Sequence, residues 1–370
     1  MLFNEQGKTH FFIIFLITTF KLLTKGNTMN FKLKTTAISF ILATSFGSTA
    51  YSSGINVDEI FQTLDIDDPS FEISTDDNFF PELTYVTLKK SNAVIAFPAQ
   101  ETWAGNPNML YNALSPNGKI VLATSPSDST VTAFNAETGQ QIAVIKVGKA
   151  PKGIKFSPDG KVAYSSNEGA RTLSVIDIKS LTVVNTIKVT GAPHNARFTN
   201  DGKIAYVTLQ SGEGIGVIDT ATQKQISTIP TPGIIAPHNL DLSKDEKTIY
   251  VRDFIQNMGV LDLRTNKITK IFKVGKSHGG IDVAPNGKYV STGAIQDTFI
   301  SIVDTETLEQ TNIEVGNGPH GIRSSADSKW IYVTITKDNT LVVVNAETLK
   351  VVKTIPVGKF PFWVALKNNS

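Results

Sequence analysis

The chain contains no cysteine. Disulfides, thiolate metal centres, a cysteine nucleophile and a lipid anchor on cysteine are therefore excluded, and the fold must rely on its core. Histidine is scarce too, with five in 370 residues. No stretch shows a long helical period, which argues against helical or α/β architectures. There is no H-E-x-x-H pair and no phosphate-binding loop, so two common routes to metalloprotease and nucleotide chemistry are missing. What remains is a chain of ordinary globular composition, 41% hydrophobic and long enough to bury a large core.

The amino terminus stands apart. Met29 opens "MNFKLKTTAISFILATSFGSTA", with Lys32 and Lys34 as a basic start and an apolar stretch after them. Ser48 and Ala50 supply the small residues of a cleavage site. This reads as a secretory signal peptide over 29–50, with 1–28 an upstream mis-called start. The apolar run at 11–20 is too short to span a bilayer. A periplasmic, secreted or cell-surface location follows, with no membrane span in the mature chain. The first fifty residues carry five lysines and one acidic residue, Glu5; without them, 30 basic and 32 acidic residues remain. The overall charge of +2 thus belongs to the leader, and nucleic acid is not an expected partner.

Beyond the leader the sequence repeats. The turn "SPNG" at 115 returns as "SPDG" at 157, "TNDG" at 199, "SKDE" at 243, "APNG" at 284 and "SADS" at 325. A spacing of 41 to 44 residues is that of a propeller blade. Each unit reads as four strands, as in "GIKFS", "VAYSSN", "LSVIDI" and "VVNTIKV" of 153–189, with period-two alternation and turn residues between them. First strands start near Tyr111, Gly153, Asn195, Asn239, Gly280, Gly321 and Trp363, which predicts seven blades. The last first strand has nothing after it, and 84–97 has no first strand before it. The carboxy-terminal strand should therefore complete the amino-terminal blade and remove the free sheet edges. Asn135, Asp177, Asp219, Asp262, Asp304 and Asn345 recur at the end of the third strand, where turn-making explains them better than catalysis.

"YVTL" at 85 and 206 and "YVTI" at 332, with "SPDGK" and "VIDT" phrases, resemble the YVTN family of seven-bladed β-propellers. The resemblance covers 84–370. It implies an all-β propeller with four strands per blade. It implies little about function, because such propellers include surface-layer proteins, periplasmic proteins and relatives of haem- and copper-bearing enzymes. The segment 51–83 lies outside the repeats as an acidic extension; "DIDD" at 65–68 lacks the glycine of a calcium loop.

The remaining histidines share one position. His194, His238, His278 and His320 occupy the loops that lead into four consecutive first strands. In a propeller those strands are innermost, so the four should meet at one mouth of the central channel. Counted back from the turn, His194, His238 and His320 coincide with Lys152, and His278 falls one place earlier. Three roles are open. Neutral imidazoles of His194, His238 and His320 could bind copper or zinc; the family resemblance adds haem, less favoured because no haem-attachment motif occurs. Alternatively the histidines, with Lys152, Arg171, Arg252 and Asp253, line a polar pocket for a small molecule, an anion or a peptide. Or they merely bond loop backbone.

The expected function is an exported, monomeric ligand-binding or protein-interaction propeller acting through this mouth. The alternative is a metal-dependent redox or hydrolytic enzyme at the same place, with Glu168, Glu213 or Asp253 as its carboxylate. Along the inner strands Lys155, Arg197, Asp241, Asp282 and Arg323 align. Arg197 with Asp241 and Asp282 with Arg323 should form ion pairs between blades.

Overall fold

A computed structural model describes residues 83–211 and 214–367. The upstream segment 1–28, the signal peptide 29–50 and all but Leu83 of the acidic extension lie outside the described residues. Seven four-stranded antiparallel sheets are present. Six are built from consecutive strands. The seventh joins Pro361–Leu366 to Thr84–Leu88, with Tyr85 opposite Ala365 and Val86 opposite Val364. The chain is thus an all-β, seven-bladed propeller closed by its carboxy-terminal strand, as the repeat predicts. No helix among the described residues is long and apolar enough to cross a membrane.

Side-chain alternation sets the layers. The middle strands, such as Ile120–Ser125 and Thr130–Asn135, are buried on both faces, whereas outermost strands such as Gln141–Lys146 are largely exposed. Each apolar cluster draws on neighbouring blades: Tyr164, Leu173 and Val175 of one blade pack with Ala196, Val207 and Ile218 of the next. The repeated acids hold turns. Asp219 accepts the Thr222 N–H at 2.7 Å and the Thr222 hydroxyl at 2.9 Å. Arg197 Nε reaches Asp241 at 2.8 Å and Arg323 Nη1 lies 3.6 Å from Asp282, so both expected inter-blade pairs form.

The inner strands crowd one another around the axis. A Cβ on Gly153 would stand 2.6 Å from the His194 carbonyl, and one on Gly321 would stand 2.7 Å from both Phe362 O and Trp363 Cα. These contacts are to backbone, which has no flexible end to swing away. Pro151–Phe156, Pro193–Phe198 and Pro319–Ser324 each carry a register shift against the second strand just after the proline. A bulge there re-aims the residue after proline. Proline suits the slot because a strand's first residue tolerates a missing N–H.

Two outcomes follow. Gly321→Ala should lower stability by about 1–3 kcal/mol, read as a fall in urea midpoint; an unchanged midpoint would show that the inner strands can separate. The second concerns Asp201. The Lys203 N–H and the Thr199 hydroxyl hold its carboxyl at about 2, below the ordinary value near ~4. A depressed acid contributes stability above the ordinary value and loses it as pH falls through the folded one. Asn fills this turn position at Asn117 and Asn286. Asp201→Asn should therefore keep the turn and show a shallower loss of urea midpoint between pH ~4 and ~2.

Candidate functional site

The proline–X slots place His194, His320 and Phe362 at the head of inner strands, with His238 just ahead of Asn239–Leu242. All four rings point to one mouth. His194 and His238 centroids are 3.8 Å apart, His238 and His278 4.8 Å, His278 and His320 5.1 Å, and His320 and Phe362 3.9 Å. His194, His238, His278 and Phe362 border a cavity of about 280 Å³ that also touches Tyr111, Lys152, Glu168, Gln210 and Phe254; His320 lies behind its lining.

His194 has no free ring nitrogen. Its Nδ1 is 3.1 Å from Glu168 Oε2 and its Nε2 is 2.8 Å from the Tyr111 hydroxyl. A carboxylate only accepts, so Nδ1–H donates to it and the phenol donates to Nε2. Burial alone would raise the Glu168 carboxyl, but the His194 hydrogen bond, with the Lys152 charge, holds it below the usual range. The result is a continuous carboxylate–imidazole–phenol chain along one wall.

The other three histidines differ. His320 Nδ1 is 2.8 Å from the Phe362 carbonyl. A carbonyl cannot donate, so the proton sits on Nδ1 and Nε2 keeps its lone pair. His238 Nδ1 is 2.6 Å from the Gln210 amide nitrogen, which only donates, so in this orientation the ring proton sits on Nε2; turning the amide over, so that its oxygen accepts, moves the proton to Nδ1 and frees Nε2. The Nε2 atoms of His238 and His320 are both buried without a hydrogen-bond partner. His278 Nδ1 is 3.2 Å from Ser277 Oγ. One ring nitrogen from each of His238, His278 and His320 lies within 4.8 Å of the others. Burial, then neighbouring histidines, push His238 and His320 well below the ordinary imidazole value, and His278 to about 3. Near neutral pH all three are uncharged.

This grouping differs from the set His194, His238 and His320 read from register. His194 is occupied at both nitrogens. His278 joins instead, because its loop turns through Ser277 in the left-handed region, φ 67°. That loop is held by Arg252, whose wholly buried Nη2 donates to Gly275 O and Ser277 O, both at 2.6 Å. Arg252 is thus behind the site rather than in it. Asp253 accepts the N–H groups of Ile255, Gln256 and Asn257 at 2.8–2.9 Å and makes a turn. Arg171 is exposed and ends the short 3₁₀ turn Glu168–Ala170. Lys152 lines the cavity, 4.0 Å from Glu168. Of the carboxylate candidates Glu168 alone borders it; Glu213 lies outside the described residues.

Sequence reasoning passed over Tyr111, Gln210 and Phe254. Phe254 stacks on His278 at 4.7 Å and 14°. Gln210 directly follows "YVTL", a position whose inward aim only the second strand's register reveals. Residues 275–279, "GKSHG", also spell G-x-S-x-G. That pattern signals a hydrolase only on a strand–turn–helix elbow. Here it joins the outer strand Lys267–Lys273 to the inner strand Ile281–Val283, so the context is missing.

The geometry defines a seven-bladed propeller with a cavity bordered by His194, His238 and His278. Residues 87–253 match the family described as Lactonase, 7-bladed beta-propeller, and residues 199–313 match the Cytochrome D1 heme domain. No curated protein matches the chain significantly. Similar solved structures include the Kuenenia stuttgartiensis hydrazine synthase, 18% identical with a TM-score of 0.65, covering 74% of this chain and 93% of that one. A functionally unknown protein from Desulfotomaculum acetoxidans is 13% identical at 0.65, with 78% and 99% covered. The dihydro-heme d1 dehydrogenase NirN in complex with DHE is 16% identical at 0.58, with 76% and 74% covered. At these identities the likeness is one of fold.

Arg252 offers a test of how the site is positioned. Arg252→Lys keeps the charge but loses the planar fork that spans two carbonyls. It should cost about 1–3 kcal/mol and shift the His278 ring resonances more than those of His194. Equal shifts at both would show that Arg252 supports the blade and not the loop.

Proposed function

We propose that this chain is a ligand-binding propeller whose channel mouth holds a transition-metal ion on His238, His278 and His320. The observation that carries this reading is the pair of buried, unpartnered Nε2 atoms on His238 and His320, in a three-histidine group whose nitrogens fall within 4.8 Å. A buried polar atom without a partner costs about 1–3 kcal/mol, and two such ring nitrogens in one histidine group need a reason. A cation supplies one. Neutral imidazoles suit copper or zinc. The Phe362 carbonyl on His320 Nδ1 is the kind of outer partner that orients a metal-binding imidazole; the Ser277 hydroxyl on His278 Nδ1 and the Gln210 amide on His238 Nδ1, once turned to present its oxygen, can act likewise. Three protein donors leave a further position for a small molecule, as in open rather than structural sites.

The likeness to the Cytochrome D1 heme domain raises haem as a second candidate. The residues present do not fit it. A haem iron offers protein ligands only axial positions, whereas three imidazoles converge here on one point. The cavity of about 280 Å³ also falls just under the range of drug-sized ligands, ~300–1,000 Å³, and suits an ion with a ligand of a few atoms. Export through the leader at 29–50 belongs to the same reading: an extracytoplasmic binding protein, free of cysteine.

The test is metal analysis of untagged full-length protein after reconstitution with copper or zinc. About one ion per chain is expected. Replacing His238, His278 and His320 together by alanine should abolish it, and His194→Ala should retain it. Less than about 0.1 ion per chain, or loss with His194→Ala alone while its fold is intact, would overturn the assignment.

A further inference from the structure

The opposite end of the channel holds a second chamber. The "SPDG"-type turns of neighbouring blades enclose a cavity of about 460 Å³, with Lys155, Arg197 and Asp241 at its floor and Lys244 and Glu246 at its rim. Between the two ends the channel narrows to about 10 Å³, bordered by Tyr111 from the histidine side and by Lys155 and Arg197 from the other. That is room for about one water, so the chambers are separate sites.

The floor is unevenly charged. Lys155, Arg197 and Arg323 meet two carboxylates, Asp241 and Asp282. Asp241 is taken: Oδ1 accepts Arg197 Nε at 2.8 Å and Oδ2 accepts the Val283 N–H at 3.0 Å. Asp282 accepts the Ser324 N–H at 2.7 Å and lies 3.6 Å from Arg323. Burial pushes Asp282 up to about 6, against the pull of Arg323. Glu246 accepts the Asn200 N–H at the rim.

Two donors remain. The Lys155 ammonium has no acceptor among the described residues, and neither has Arg197 Nη2, although Arg197 Nη1 bonds Asn195 Oδ1 and Ala196 O. Burial first, then Arg197 and Arg323, drive Lys155 well below the ordinary ammonium value, against the weaker pull of Asp241 and Asp282. An unpaired cation is disfavoured in such a place unless an anion joins it. The walls above these donors are apolar: Pro116, Phe156, Pro158, Phe198, Leu242 and Pro285. An apolar wall with a few convergent polar groups is how small-molecule sites are built.

We propose that this far chamber binds a small organic carboxylate, its oxygens on Lys155 and Arg197 and its short apolar body against the proline and phenylalanine wall. Charge-assisted bonds to both cations give affinity, and the wall separates such a ligand from inorganic anions. The site needs no metal at the histidine mouth.

Calorimetric titration of the full-length protein with sodium benzoate tests it. Saturable binding is expected, with none for benzyl alcohol, which has the ring but not the charge. Lys155→Met should weaken benzoate by about tenfold or more, and Lys155→Arg should hold it within about threefold. Lys155→Met removes a desolvated charge and should melt no lower than the parent; Lys155→Gln gives the same reading should methionine disturb the channel. His238→Ala should leave benzoate binding unchanged. No saturable binding, equal binding of benzyl alcohol, unchanged affinity in both Lys155→Met and Lys155→Gln, or displacement by inorganic phosphate as readily as by a second carboxylate would each overturn the proposal.

Discussion

Everything in this molecule hangs on how closely seven inner strands approach one axis. At Gly153 and Gly321 a neighbouring backbone stands within 2.6–2.7 Å of where a Cβ would be, so the strands meet with almost no side chain between them. Side chains at the strand heads then have nowhere to go but into the mouth. Burial follows from that geometry, and from burial follows chemistry. Imidazoles packed ring against ring at 3.8–5.1 Å cannot all carry protons, because each charge would sit desolvated beside its like. The mouth is therefore a set of neutral imidazoles by construction.

Much of the architecture was legible in the sequence because a propeller is made of local decisions repeated. Turn phrases every 41 to 44 residues announce hairpins whose pairing is set within each blade. The unpaired strand at each end of 84–370 announces the closure of Pro361–Leu366 on Thr84–Leu88. Even the Arg197–Asp241 pair was readable, since the two residues hold the same place in adjacent units and the inner strands are neighbours.

The site was legible only in outline. Four histidines at one mouth could be read from the repeat; which of them would group could not. His278 is out of register with the rest, and its position depends on an arginine that grips Gly275 and Ser277 from a different part of its blade. His194 looks equivalent to His320 by counting, yet Glu168 and Tyr111, 26 and 83 residues away, take both of its nitrogens. Arg252 and Asp253 read as pocket residues because charge near histidine suggests function. Both are instead committed to backbone, which no spacing reveals. Such contacts are made between segments that the repeat does not relate.

The residue after each inner-strand proline shows how one scaffold separates structure from function. Pro151, Pro193, Pro319 and Pro361 precede Lys152, His194, His320 and Phe362, and each pair coincides with the same shift in register. The backbone demand is the bulge, which aims the side chain at the axis whatever that side chain is. Its occupant is free to vary from blade to blade without cost to the fold. That freedom lets a near-symmetric ring carry an asymmetric mouth, whose cavity is bordered by imidazoles together with Lys152, Lys89 and Phe362. A repeat fixes where side chains point, and divergence at a single slot decides what they do there.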